Sequence, residues 1–514
     1  MKKWKTTVAL LAIYFISVSV LISFTACEST STDANNSPKY VFFIIGDGFG
    51  VSHMTATSFY LGQKEHRGEI RSEKLNFMEF PSVGLIATYD AGSFITDSAS
   101  AGTALASGVK TYTSWVGVDR NRNPVPSIAD LLYEQHQYRI GIIADVQLNH
   151  ATPASFFANQ DDRFATYGIA YESVTSGFHF LGGGGFEHYA GREGDEDNIF
   201  EIAGELGFAH INTSDALNAL TQSADGNERV IATNPRLDSS QGLYHVIDRD
   251  STCFSIANFT SMAINVLTEN NDDGFFLMVE AGKIDHTAHE NDAKATIYET
   301  IAMIEAIDVA LDFYAQHPND TLIVVTSDHE TGGFSIGNNA LNSTAPLGAD
   351  GIYFETNIHV LDYQQISARA LNAMIRSDFV GNEDVTFEEG LQLIQTYFGL
   401  TVDVPPAGID PIMQLTAREL NALEAAFDLT VSGTSFLEFT EEQQAIYSML
   451  LTPFATETVR ILNTKAGFGW TSSMHTGEHV PIFAKGIGSN IFTGVYDNTE
   501  VFFKFAEILN VRLD

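Results

Sequence analysis

Asp285 and His289 stand four residues apart, so on a helix both would project from one face and could share a cation. Carboxylate plus imidazole is zinc-type ligation; the plainer alternative is a solvated helix turn. Asp328 and His329 are adjacent and follow an apolar run, Leu322 to Thr326. Neighbouring residues do not share a helix face, but at a strand exit both can bend toward one ion. Asp47 lies between Gly46 and Gly48, small neighbours that let the backbone approach a ligand closely or simply make a turn. Ser98 sits in Ile95-Thr96-Asp97-Ser98-Ala99-Ser100-Ala101-Gly102-Thr103, where small residues run into a helical pattern through Ala106. A serine near a helix N-terminus can meet an anion such as phosphate, or merely begin an alanine-rich helix. Neither a Ser-His-Asp order nor a G-x-S-x-G elbow accompanies it, so a metal ion is the available activator of its hydroxyl.

Elements of one form lead to these residues. Tyr40 to Ile45 runs into Asp47, Phe275 to Val279 runs into Glu280 and Asp285, and Leu322 to Thr326 runs into Asp328. Apolar runs without alternation suit strands covered on both faces. Ala293 to Gln316 carries apolar residues at helical spacing, and strand alternating with helix predicts an α/β three-layer sandwich with a large, mostly parallel central sheet. Ligand sites in such sheets lie beyond the carboxyl ends of the strands, where the Asp, Glu and His residues collect. Further strands are expected at Val83 to Thr88, Arg139 to Ala144 and Val480 to Ala484. Gly182 to Gly185 lacks a following G-K-[ST] and reads as a loop rather than a phosphate cradle. A helical insertion at about residues 340–465, with helices at Thr386 to Phe398, Ala417 to Phe427 and Glu441 to Leu462, is expected to form a cap or a subunit contact.

The 514 residues are 44% hydrophobic, enough for a substantial core, and carry a formal charge of −38. That charge gives no general attraction for nucleic acid or anionic membrane surfaces. An anionic substrate would need arginine or bound cations at the site. Lys2, Lys3 and Lys5 precede an apolar stretch from Val8 to Phe24, the form of an export signal over residues 1–26. Phe24-Thr25-Ala26-Cys27 resembles the lipobox of bacterial lipoproteins, with Phe24 in place of the usual Leu. Lipid attachment at Cys27, a polar tether through residue 39 and a periplasmic, outer-membrane or cell-surface location are the expectation; ordinary secretion and an uncleaved anchor stay open. Cys253 is the only other cysteine, so a chain lipidated at Cys27 has no intramolecular disulfide.

Gly46-Asp47-Gly48, Thr96 through Thr103, Val279 through His289, Thr326 through Gly333 and His475-Thr476-Gly477 resemble, in order, the motifs of the alkaline phosphatase family. The resemblance spans residue 40 to the C-terminus and implies a phosphate monoester hydrolase with two zinc ions and one magnesium ion. It implies that Ser98 is the nucleophile, that Asp285, His289 and His475 hold the first zinc, and that Asp328, His329 and Asp47 hold the second. Asp47 would bridge to the magnesium, completed by Glu280 and by Thr152 of Asn149-His150-Ala151-Thr152-Pro153. Arg163, in Asp161-Asp162-Arg163, resembles the arginine that grips two phosphate oxygens. Two positions that vary in the family are histidine here, His150 and His286, which leaves the third metal's identity open. His479 reads as a neighbour of the first zinc set and Trp470 as a packing residue. Relatives are often dimers, so a homodimer is a possible partner state. Competing readings are a phosphodiesterase or other hydrolase of the same superfamily, and a surface lipoprotein that binds without catalysis. A sulfatase is excluded by the missing Cys/Ser-x-Pro-x-Arg segment.

Overall fold

A computed structural model describes residues 37–66, 69–338 and 356–513. The export segment, Cys27 and the tether through Asn36 lie outside the described residues, as does the 339–355 start of the expected insertion.

Among the described residues, the main sheet holds β1 (Tyr40–Gly46), β2 (Ser82–Ala87), β3 (Arg139–Ala144), β4 (Phe180–Gly183), β5 (Ala209–Ile211), β6 (Val230–Thr233), β7 (Phe275–Ala281) and β8 (Thr321–Thr326). Four short strands follow outside it: β9 (Glu330–Thr331), β10 (Phe334–Ile336), β11 (Phe468–Trp470) and β12 (His475–Thr476). β13 (Val480–Gly486) and β14 (Gly494–Asp497) return to the main sheet, whose order is β14-β2-β13-β8-β1-β7-β3-β4-β6-β5. Only β13 runs antiparallel to its neighbours, β2 and β8. The remaining neighbour pairs are parallel.

The alternation of side chains along β1 separates two cores. Val41, Phe43 and Ile45 join the cluster under the helices Ser98–Ser107, Ile128–His136 and Thr499–Ile508. Phe42 and Ile44 join the opposite cluster under Ile256–Thr268 and Ala293–Gln316. All five are fully buried, and burying such a side chain is worth about 1.5–3 kcal/mol. A third cluster covers the helical region: Leu371, Ile394, Leu423 and Phe454 pack with Ala56, Tyr60 and Ile297.

Two local expectations are corrected. Glu441 to Leu462 is not one helix but two, Glu441–Ile446 and Pro453–Ala466. Thr452 stands at the N-cap position of the second without a side-chain cap bond, and Pro453 takes its first position, where a missing N–H costs nothing; inside one continuous helix from Glu441, Pro453 would have broken the ladder. Gly182 and Gly183 are not loop but the end of β4, between β3 and β6. A Cβ on Gly183 would meet the Ala144 carbonyl, so glycine allows the close approach there.

Candidate active site

The register of three central strands brings the first acidic residues together. Ile45 of β1 lies opposite Glu280 of β7 and Thr326 of β8, so Asp47, Glu280 and Asp328 emerge from one edge. Ala144 of β3 also lies opposite Glu280, and the chain beyond it carries His150 and Thr152 to the same edge. Asp285 and His289 share a face of the short helix Lys283–His289 that follows β7. His475 arrives from far along the sequence because β12 pairs with β9, opposite Thr331. Gly48 permits the convergence: its φ is +73°, and a Cβ would stand 2.9 Å from Asp285 Cα.

Two imidazoles and a carboxylate face one point. His289 Nδ1 donates to the Ser473 carbonyl at 2.6 Å, and His475 Nδ1 donates to the Thr96 carbonyl at 2.8 Å. With both Nδ1–H groups so used, the two Nε2 atoms face each other 3.1 Å apart, as two lone pairs when the rings are neutral. Against the opposing effect of burial, Asp285 raises His289 to about 9, so this pocket favours a positive charge between the rings. Asp285 Oδ2 lies 3.3 Å from His289 Nε2 and Asp285 Oδ1 lies 3.5 Å from His475 Nε2. Backbone anchoring of the far ring nitrogen is how a metal-ligating histidine is held.

A second group adjoins it. His329 Nε2 is 3.3 Å from Asp47 Oδ1, 3.3 Å from Asp328 Oδ2 and 3.3 Å from Ser98 Oγ. Its other nitrogen faces Thr331 Oγ1, whose hydroxyl donates to Asp285 Oδ1 at 2.5 Å, linking the two groups. The His329 and His475 rings stack with centroids 3.6 Å apart.

Ser98 is the first residue of helix Ser98–Ser107 and only 2% exposed. Asp97, the cap, accepts from the Ser100 amide and hydroxyl through Oδ1, and from the Ser114 amide and Arg163 Nη1 through Oδ2. One carboxylate thus fixes both the start of the serine helix and the guanidinium. Burial opposes its charge, but Arg163 and these donors hold it below the ordinary carboxylate range. Arg163 also donates to His150 Nε2 at 3.0 Å, which leaves His150 Nδ1 to donate to Glu280 Oε1 at 3.1 Å. Thr152 Oγ1 donates to Asp47 Oδ2 at 3.3 Å.

The electrostatics of these residues fit bound divalent cations. Asp47, Glu280 and Asp328 are fully buried, and Asp47 Oδ1, Glu280 Oε2 and Asp328 Oδ2 have no hydrogen-bond partner. Burial pushes Glu280 and Asp328 up to about 8, and burial with neighbouring carboxylates raises Asp47 as well. Burial likewise drives His329 well below its ordinary value, so it presents a neutral lone pair. Unpaired carboxylates packed this closely are strongly unfavourable in a protein interior unless cations balance them. Three sets have ligand atoms within 4.8 Å of one another here: Asp285 with His329 and His475, Asp47 with Asp328 and His329, and Asp47 with His150 and Glu280.

Every expected site residue therefore reaches the same edge, and His289 faces the first set through His475. Sequence reasoning treated His150 only as a variable position; its ring bridges Arg163 and Glu280. It also missed the bridging role of Asp97, legible as a cap position before the Ala-rich helix, and of the Thr331 hydroxyl. His286 lies beside His150, ring centroids 6.1 Å apart, and joins none of the three sets. His479 is exposed and joins none of them either. Trp470 stacks on Phe334 at 4.1 Å and packs against the helical region, as expected of a packing residue.

Comparison with known proteins agrees with this geometry. Residues 38–177, 188–403 and 415–511 match the family model described as alkaline phosphatase. The chain is 30% identical to alkaline phosphatase 4 of Bacillus subtilis over 508 residues, covering 96% of this chain and 94% of that protein. The cold-active alkaline phosphatase of a psychrophilic Shewanella superposes with a TM-score of 0.70 at 26% identity, over 91% of this chain and 99% of that one. That of Thermus thermophilus has the same fold, with a TM-score of 0.72 at 22% identity over 93% of each chain. A β1–β7–β8 edge that gathers buried carboxylates and imidazoles around a serine at the first position of a helix, together with matches along nearly the whole chain, makes this protein a member of the alkaline phosphatase family.

Proposed function

We propose that the chain hydrolyses phosphate monoesters to alcohol and inorganic phosphate by way of a phosphoserine at Ser98. The observation that carries this reading is the position of Ser98 Oγ, 3.3 Å from a histidine nitrogen that also faces two buried carboxylates. Asp285, His289 and His475 would hold one zinc ion, and Asp47, Asp328 and His329 a second. Asp47, Thr152 and Glu280 would hold a magnesium ion once the His150 ring releases Glu280 Oε1. Bound there, such ions lower the pKa of a hydroxyl or water and neutralise charge on phosphoryl oxygens.

The chain's own residues do the rest. Ser98 Oγ attacks phosphorus as the bond to the alcohol oxygen breaks, the serine proton being matched by the one the departing alcohol takes up; water later attacks the phosphoserine, returns a proton to Ser98 Oγ and releases inorganic phosphate. Arg163, held by Asp97, binds two equatorial oxygens through its guanidinium. The N-terminus of helix Ser98–Ser107 adds backbone N–H groups and a favourable dipole. Most of the transition-state charge lies on those oxygens, so positioning them is most of the catalysis. The basic residues, apolar stretch and Cys27 of the amino-terminal segment support export as a lipoprotein.

The test compares an aryl phosphate monoester with an aryl diester of the same leaving group, before and after chelation. Monoester turnover that is faster than diester turnover and lost on chelation is the expected result. Preference for the diester would instead make the protein a phosphodiesterase, and activity indifferent to chelation would contradict the cation-dependent reading.

A further inference from the structure

Four large apolar side chains stand in solvent beside the site: Phe94 is 90% exposed, Met474 63%, Phe164 60% and Ile95 47%. Each is a near neighbour in sequence of a residue already assigned a role. Phe94 and Ile95 precede Ser98, Phe164 follows Arg163, and Met474 precedes His475. Their backbones are tied down, so their exposure is not slack. The Thr96 carbonyl accepts from His475 Nδ1 at 2.8 Å, and the Met474 carbonyl accepts from the Gly332 amide at 2.9 Å. A Cβ on Gly477 would lie 3.3 Å from the Phe94 carbonyl oxygen, so the two loops abut. The Arg163 amide donates to the Ser114 carbonyl at 2.7 Å while its guanidinium grips Asp97. Two abutting loops and a third tied to Asp97 thus carry these four exposed side chains, each within four residues of Ser98, Arg163 or His475.

Exposed apolar groups of this size, fixed beside a polar site, mark a binding surface. Resting on the phosphomonoesterase reading above, we infer that Phe94, Ile95, Phe164 and Met474 form an apolar rim that receives the alcohol portion of the substrate. The rim selects monoesters whose alcohol carries an alkyl or aryl body over those of compact polar alcohols. Continuity with the site supports this occupant: a phosphate gripped by Arg163 and facing Ser98 leaves its alcohol among the residues that flank them.

Linear alkyl phosphates test it, because ethanol and octanol have nearly the same acidity and the chemical step is held constant. In the metal-loaded full-length protein, kcat/KM for octyl phosphate, kept below its micelle concentration, should exceed that for ethyl phosphate by about tenfold or more. In Phe94→Ser/Phe164→Ser/Met474→Ser that ratio should collapse to about one, and in the single Phe94→Ser variant it should fall part of the way. A wild-type ratio near one overturns the rim and leaves the phosphatase reading standing. Failure to hydrolyse either ester overturns the phosphatase reading beneath it. A wild-type dimer that the substitutions convert to monomer, seen by sedimentation, also overturns the inference, because the patch would then be an interface between copies. If the triple variant does not fold, the wild-type ratio and the single variant decide.

Discussion

His289 and His475 illustrate how much a ring's far nitrogen decides. Because both Nδ1 atoms are spent on carbonyls, the facing Nε2 atoms cannot bond to each other as neutral rings. A cation between them resolves the conflict. Arg163 is fixed with equal economy by Asp97 and His150. Arg163→Ala should lower kcat/KM for a phosphate monoester about a hundredfold, and Arg163→Lys should restore little of it, since an ammonium cannot fork onto two oxygens. Steady-state kinetics on both variants check this; full rescue by lysine would mean that only its charge matters. Sequence alone pointed to Asp47 and Asp328 as acidic residues just past apolar runs, and to Asp285 by its four-residue spacing to His289. It did not reveal the bridging roles of Asp97, His150 and Thr331, since these depend on which side chain lies opposite after folding.

At the level of elements, the central strands β1, β7 and β8 were legible because buried parallel strands are continuous apolar runs, and helix Ala293–Gln316 because its period is unmistakable, whereas the short strands β5, β6 and β14 toward the sheet's edges were not foreseen. The split at Pro453 was signalled by a threonine directly before a proline, which outweighs continuing helical periodicity. β4 was missed because glycines in a strand carry no hydrophobic pattern. The turn after β1 is the most exacting local conformation: Gly48 combines a positive φ with Asp285 backbone at contact distance. Gly48→Ala should lower unfolding free energy by about 1–3 kcal/mol. Urea denaturation measures it, and an unchanged midpoint would show that the turn relaxes without cost.

Across the whole molecule, stability should depend on pH and on cations together. Burial first, and neighbouring carboxylates where they adjoin, raise Asp47, Glu280 and Asp328 in the folded state. Between their unfolded values, about 4, and their folded values these groups hold protons that the unfolded chain releases. Cation-free protein should therefore lose stability as pH rises from about 6.5 toward 8; below that window the buried histidines His329, His150 and His286, held neutral by burial, contribute the opposite slope. Metal-loaded protein should lose less, so the Tm difference between chelated and loaded samples should widen with rising pH. A difference that narrows over that range would mean that cations do not offset these carboxylates. Export leads to a separate expectation: Cys27→Ser should move the protein from the detergent phase to the aqueous phase in phase partitioning, whereas unchanged partitioning would argue against a lipid at Cys27. The site's components were readable as motifs over the whole length, but the apolar rim was not, because surface Phe and Met have no periodic signature.

The most direct measurement is acid-quench trapping of the enzyme during turnover of a labelled phosphate monoester, followed by peptide mapping. We expect the label on Ser98 in the wild type and no label in Ser98→Ala, whose kcat should fall about a thousandfold or more. Label on another residue, or undiminished labelling of Ser98→Ala, would contradict Ser98 as the nucleophile.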